Sequence, residues 1–467
     1  MKSFRLWAAL GLSLLLSACS APKLDLATGT DPNLIERAQA GDPYAMGVLG
    51  ANYRRGEGLV RDYEKARLWL ERSAAKENPI GLYNLAILHK EGTGLPPNPA
   101  KAQELILRSL PGLQASAKEG DARAICKLGY LYEIGWGLPK DPKLAFDSYL
   151  AAANQGFARA QDNLGLIYQW GSTPNPEEAA KWFQKAAAQG FARSQANLAR
   201  LYELGLGVPR DLGYAIWLYQ IAAERGSSLA QNRLGSLYET GEGFDRNFHE
   251  AYKWYSKAAE DGFAPAMLNL GHLFETGRGV PSDPNLAFFW YLKGMQQAEE
   301  QAKDRINLLL ENLADQRKTL DLRGMKLSGL NLKGLNFSGV DFSGAELAGA
   351  DLSWGQFKGT LLVGANLEGA NLSFALLRSA NLEGANLKGA NLTQTHLAQA
   401  NLTGANLTQA LLAGTLLPGA NLRGANLTKA EAQEVNLEGA NLAEVTGLPE
   451  AWKAGVNKEG RWSAVNR

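Results

Sequence analysis

Cysteine and histidine are nearly absent: the chain has two and four in 467 residues. A disulfide scaffold or a Cys/His zinc module needs more ligands, set closer together. An excess of one charge is missing too. With 48 Lys and Arg against 47 Asp and Glu, the formal charge is +1, which gives no overall attraction for nucleic acid or for a strongly acidic ligand. Long apolar runs are also lacking. The stretch from Leu6 to Leu16 has eleven residues, against the about 20 that cross a bilayer, and no other stretch comes closer. Hydrophobic residues at 45% still suffice for packed cores and exclude wholesale disorder. Glycine is what the chain has in excess: 51 residues, about 11% where about 7% is usual. Such a surplus is either flexible linker or the punctuation of a repeat.

The N-terminus reads as an address. Lys2 and Arg5 precede the apolar stretch, and Ser17-Ala18-Cys19 follows it, the order of a secretory signal over residues 1–18. Leu16-Ser17-Ala18-Cys19 resembles the lipobox of bacterial lipoproteins. That resemblance implies that Cys19 becomes the mature N-terminus, carrying a diacylglycerol thioether and an N-acyl chain. Several acyl chains would anchor the protein stably, since each buried methylene contributes ~0.8 kcal/mol. Ser20 after the cysteine implies outer-membrane sorting, facing the periplasm. The alternative is an ordinary secreted protein in which Cys19 is incidental. Removal of residues 1–18 takes Lys2 and Arg5 with it and brings the charge to −1. Cys126 is then the one remaining thiol apart from Cys19; its helical surroundings predict a buried, inert residue.

Two periods follow one another. Between residues 34 and 294 a phrase of Leu-Gly or Leu-Ala, an aromatic and a Gly-x-Gly recurs, as in Leu128-Gly129, Tyr132 and Gly135-Trp136-Gly137. Its leucines are 49, 85, 128, 164, 198, 234 and 270, at spacings of 36, 43, 36, 34, 36 and 36. Within a unit, Ala160, Leu164, Gly165 and Tyr168 form one helical stripe. The Gly-x-Gly ends that helix, and an Ala-rich second helix such as 178–190 follows. A single helical hairpin cannot bury its apolar face alone, so seven must stack as an all-α solenoid.

These seven units resemble the Sel-one-like repeat family, relatives of the tetratricopeptide repeat. Departures are His89 in place of the aromatic, a seven-residue insertion around Leu110-Pro111-Gly112, and loss of the second glycine at Gly171-Ser172-Thr173. Cysteine-rich secreted relatives staple each repeat with a disulfide, which this chain does not.

From about residue 320 the period becomes five. Leu322, Leu327, Leu332 and Phe337 begin 25 consecutive central positions that run to Leu442, broken by Ala432. A small residue lies two before each, often with Asn or Asp between, and Gly stands two after in 16 of the 25. Five matches neither the helical nor the strand period. The pattern, typified by Ala365-Asn366-Leu367-Glu368-Gly369, resembles the pentapeptide-repeat family. That resemblance implies a right-handed, quadrilateral β-helix over residues 320–446, with Leu/Phe and Ala inward and four units per coil. Six coils at ~4.8 Å would make a rod about 30 Å long. Residues 295–319 keep 3–4 apolar spacing and read as a capping and connecting helix, 19–33 as a tether, and 447–467 as a tail or cap with Trp452 and Trp462.

Motifs for chemistry are missing. There is no Gly-x-Ser-x-Gly, His249-Glu250 lacks a second metal ligand, and Gly364 to Gly369 never continues as a phosphate loop. We therefore expect no catalytic residue, no metal and no cofactor. Binding has more support. Asn84, Asn163, Asn197 and Asn269 stand immediately before the repeat leucine, with Lys127 and Arg233 at two of the three other sites. Asn is a poor helix former, so its return has a cause: either a polar ladder for an extended partner, or internal bonds between repeats. In the second region Leu376, His396 and Leu416 fall 20 apart on one expected outer face, a candidate docking column. Residues 320–446 hold ten acidic and eight basic residues, too balanced to mimic DNA, and no nucleic acid partner is expected. The expectation is a lipid-anchored envelope scaffold or adaptor that is not an enzyme. It would bind a protein or peptide partner in the periplasm or envelope and the membrane through its lipid. The alternative is a cell-wall-active or β-lactam-processing hydrolase of the envelope.

Overall fold

The computed structural model describes residues 33–56, 58–295, 297–316, 318–457 and 459–463. Residues 1–18, where a signal sequence is expected, and Cys19 lie outside them. Two compact units divide between Asn247 and Phe248.

In the first unit, α1 (Leu34–Gln39) precedes five antiparallel hairpins. They are α2 (Pro43–Arg55) with α3 (Tyr63–Ala74), α4 (Pro79–Glu91) with α5 (Pro99–Lys118), and α6 (Ala122–Ile134) with α7 (Pro142–Asn154). Next come α8 (Ala158–Trp170) with α9 (Pro176–Ala188), and α10 (Ala192–Leu204) with α11 (Leu212–Glu224); α12 (Ser228–Thr240) closes the unit.

The boundaries follow from local chemistry. Asp42, Asn78, Asp121 and Asp141 accept backbone N–H bonds at helix starts, each worth about 1 kcal/mol, and prolines 43, 79 and 142 occupy first-turn positions where no N–H is required. First helices end on left-handed glycines, such as Gly135 at φ 71°. Where the second glycine is replaced, Gly171 instead takes an extended conformation. The insertion around Pro111 lengthens α5 to 20 residues against 13 in most of its counterparts.

Two kinds of glycine set the packing. Gly165, after the repeat leucine, leaves space for the Phe183 ring of the paired helix. Gly207 lies against the backbone of Pro176 and Glu177 in the preceding hairpin.

The second unit begins with α13 (Phe248–Glu260), α14 (Ala264–Thr276), α15 (Pro284–Gly294) and α16 (Glu299–Asp315). The five-residue units follow. From Asp321 to Asn426, each residue before a central position pairs in parallel with the residue 20 later, as in Asn366↔Asn386 and Asn386↔Asn406. Four units therefore complete one 20-residue rung. Among the described residues these are isolated bridges rather than extended strands, because a turn every five residues leaves one residue per side to pair. Leu367 N–H donates to Asn386 O at 2.7 Å, and Ala370 N–H donates to Leu367 O at 3.0 Å across the turn. The third turn position has positive φ in all 25 units, including nine that lack glycine, as a type II turn requires. Central Leu and preceding Ala are fully buried at, for example, Leu367 and Ala365. Ala432, where the register weakens, is half-buried.

Residues from α14, α15 and α16 share one apolar core with the first rungs: Phe288 packs edge-on against Phe337, centroids 6.3 Å apart. The first rung has no earlier rung to pair with. Side chains substitute: Asn285 Oδ1 accepts from Asp321 N–H at 3.3 Å, and Asn307 Oδ1 from Asn336 N–H at 3.2 Å. At the far end the chain returns antiparallel, with Asn441↔Arg461 paired and Leu442 N–H donating to Gly460 O at 2.7 Å. Trp452, on the short α17 (Glu450–Lys453), is buried in the same core.

Candidate functional site

The positions before the repeat leucines lie in different environments. Asn84 is fully buried; its amide donates to Ile80 O at 2.7 Å, and its Oδ1 is 3.5 Å from an Arg55 N–H donor. Half-buried Asn163 donates to Cys126 Sγ at 3.9 Å and accepts from Arg193 at 2.8 Å. Buried Asn197 donates to Asp162 at 3.4 Å. Asn269, in the second unit, is half-buried and also has a partner. The amides of Asn84, Asn163 and Asn197 are thus engaged inside the protein, and Asp162 joins three side chains: Arg193, Ser194 and Asn197.

The two cations of the series differ. Arg233 is ion-paired with Glu203 and, at 3.3 Å, with Glu242. A cavity of about 270 Å³ opens beside it, lined by Arg200, Leu204, Tyr219 and Leu229 among others. Lys127 has no such pair of acids. Its Nζ stands 4.1 Å from the centroid of the Tyr83 ring. Burial, together with the positive charges of Arg55, Arg159 and Arg54, holds its ammonium well below the usual lysine range. Next to it, burial pushes the Cys126 thiol up to about 11, so thiolate is scarce at neutral pH.

In the five-residue region, three of the four bridge columns carry Asn or Asp ladders. Asn386 donates to Asn366 Oδ1 at 3.2 Å, and Asn406 to Asn386 Oδ1 at 3.1 Å. In the fourth, Leu376, His396 and Leu416 pair in one column, Leu376 and His396 exposed and Leu416 half-buried. At the adjoining corner Trp354 and Phe374 stack in parallel with centroids 4.4 Å apart, both exposed and both at φ 61° where glycine is usual.

Sequence reasoning missed this aromatic pair, although Trp354 and Phe374 stand 20 residues apart in the turn position. It also missed a bond that recurs within hairpins. Tyr149 donates to Glu133 at 2.5 Å, Tyr219 to Glu203 at 2.8 Å and Tyr291 to Glu275 at 2.6 Å, always across 16 residues. Burial alone would raise the Glu275 carboxyl, but bonds from His272, Tyr291 and Asn312 draw it below its ordinary value. Among the described residues no group of His, Cys, Asp and Glu is placed to hold a metal, and no helix is long and apolar enough to cross a membrane.

Comparison with known proteins agrees with both periods. The Sel1 repeat model matches residues 43–78, 79–109, 122–157, 158–191, 192–227, 228–263 and 264–297, over half of the chain. Pentapeptide repeats match in eight copies over residues 321–353, 356–394 and 405–442. Among solved structures, the chain is 29% identical to c5321, a protective antigen of uropathogenic Escherichia coli displaying an SLR fold. The match has a TM-score of 0.37 and covers 64% of this chain and 67% of that one. It is also 29% identical to a Sel1 repeat protein from Oxalobacter formigenes, with a TM-score of 0.40 and coverage of 59% and 78%. HetL, a pentapeptide repeat protein of the cyanobacterium Nostoc, is 23% identical, with a TM-score of 0.13 and coverage of 31% and 92%. No curated protein matches the chain. Sel1 repeat proteins generally mediate protein–protein interactions. With seven such units ahead of its pentapeptide repeats, the chain belongs to the Sel1 repeat family.

Proposed function

We propose that this protein is a lipid-anchored scaffold or adaptor of the bacterial cell envelope, which binds protein partners through its repeat surfaces and catalyses no reaction. The seven Sel1 units support the binding role, and they are the observation that carries it. The Leu16-Ser17-Ala18-Cys19 pattern supports acylation at Cys19, and Ser20 supports an outer-membrane location facing the periplasm. The five-residue region is read as a right-handed quadrilateral β-helix, a rigid rod or second docking face; its 20-residue parallel pairing supports that shape.

The test is purification of the acylated full chain from membranes. Radiolabelled palmitate should enter the natural protein and not Cys19→Ser, and a partner should co-purify in stoichiometric amount. Turnover of muropeptides or β-lactams by the purified protein would overturn the scaffold reading.

A further inference from the structure

Helices α10, α11 and α12 line the cavity of about 270 Å³ beside Arg233, and α8 reaches its edge through Trp170, whose ring centroid lies 5.3 Å from the Arg200 guanidinium carbon. Such a volume is smaller than the about 300–1,000 Å³ of sites that enclose a drug-sized ligand, so it suits one side chain better than a whole cofactor. Arg200 and Arg233 are the cations of its lining, and Glu203 is the one acid. That acid is already engaged: it accepts from Tyr219 at 2.8 Å and is ion-paired with Arg233, which also holds Glu242 at 3.3 Å. Arg200 is left with the Trp170 ring and, among the described residues, no carboxylate. The apolar wall is open as well. Leu204 is 51% exposed and Trp170 63%. With Ile134 they stand six residues after the repeat leucine in three consecutive repeats, an exposed apolar row leading to the cavity.

We propose that this cavity seats an extended, acidic segment of a protein partner, one apolar side chain entering between Leu204 and Leu229 and a neighbouring Asp or Glu pairing with Arg200. Charge complementarity selects the acid, because Arg200 is the lining cation that the protein itself does not neutralise. A guanidinium stacked on an indole keeps its N–H edge free and oriented, ready to meet a carboxylate through two parallel bonds. The apolar row selects the rest of the segment. Ile134 and Trp170 carry the surface on through two further repeats, which suits a continuing chain with alternating apolar and acidic side chains. Long-range steering contributes little, since the net charge of the whole chain is near zero, so recognition rests on the pocket and its one free cation.

This inference rests on the protein-binding reading above and names the partner's chemistry. The test is fluorescence anisotropy of the full chain with a labelled, end-capped (Leu-Glu)4 peptide, with (Leu-Lys)4 and (Ser-Glu)4 as controls. The Leu-Glu peptide should bind, and each control should bind at least tenfold more weakly, one lacking the acid and the other the apolar anchor. Arg200→Gln should weaken binding of the Leu-Glu peptide about tenfold, the loss of one charged hydrogen-bonded pair. Leu204→Ser should weaken it severalfold, and Lys388→Gln should leave it unchanged. Arg200 and Leu204 are both exposed, and circular dichroism checks that each variant folds. Equal binding of the three peptides, no binding of any, or an unchanged affinity in the folded variants overturns the proposal. Self-association of the natural chain that Leu204→Ser abolishes in sedimentation also overturns it and assigns this face to a second copy. A stoichiometric partner that co-purifies equally with the natural protein and with Arg200→Gln would overturn this seat and leave the interaction reading standing.

Discussion

Glycine serves the helical repeats and the five-residue repeats through the same left-handed conformation but for different physical reasons. Gly207, at φ 67°, is pressed against the backbone of the neighbouring hairpin, so both its conformation and its missing side chain matter. Gly369, at φ 65°, has nothing within 4 Å of where a Cβ would stand, so only its conformation matters. This contrast explains why the helical region keeps its second glycine in six of seven loops, while nine of 25 turns in the other region use another residue. One region is constrained by contact between repeats, the other by the turn alone.

The sharpest way to break this comparison is to add the same methyl group to both regions. Gly207→Ala should destabilise the first unit by about 3 kcal/mol, combining backbone strain with overpacking, as read from urea unfolding. Gly369→Ala should cost only about 1 kcal/mol by the same measurement. Equal losses would mean that the helical seam relaxes freely. Between these lies Asn307→Ala, which leaves the Asn336 N–H without its acceptor. A loss of about 1–3 kcal/mol is expected, with faster hydrogen exchange confined to the first rung.

Smaller effects sharpen the other side. Gln409→Gly should raise stability by up to about 0.5 kcal/mol, the relief of a left-handed side chain partly offset by greater freedom in the unfolded chain. Smallest of all is the triple change of Leu376, His396 and Leu416 to Asn. It extends the ladder of the other three columns and should shift stability by about 0.5 kcal/mol or less in thermal melts. A large loss would show that the apolar column supports the rung itself.

The repeats were legible because each unit states its own burial pattern locally. Leu164 with Gly165, or Ala365 with Leu367, identifies inward positions without knowledge of any other repeat. The ends of the five-residue array were not legible in this way. Nothing near Asn285 or Asn307 in sequence announces that their side chains complete the first rung, 36 and 29 residues further on. The division at Asn247 also falls inside the helical series, away from the change of period, because α14 to α16 bury apolar residues with the first rungs. The Asn positions before the leucines were visible as a pattern, but their partners were not, since Arg55, Cys126 and Asp162 come from other helices.

The sequence by itself determined the two periods, the turn positions, the inward residues and the family, all of which depend on spacings within one unit or between identical units. Only the tertiary structure decided which charges are neutralised. Lys127 and Arg233 occupy the same repeat position, yet one lies among arginines and the other between two glutamates. That difference is electrostatic. It depends on side chains brought together from separate hairpins, where a few ångströms of separation and the exclusion of water set the interaction energy.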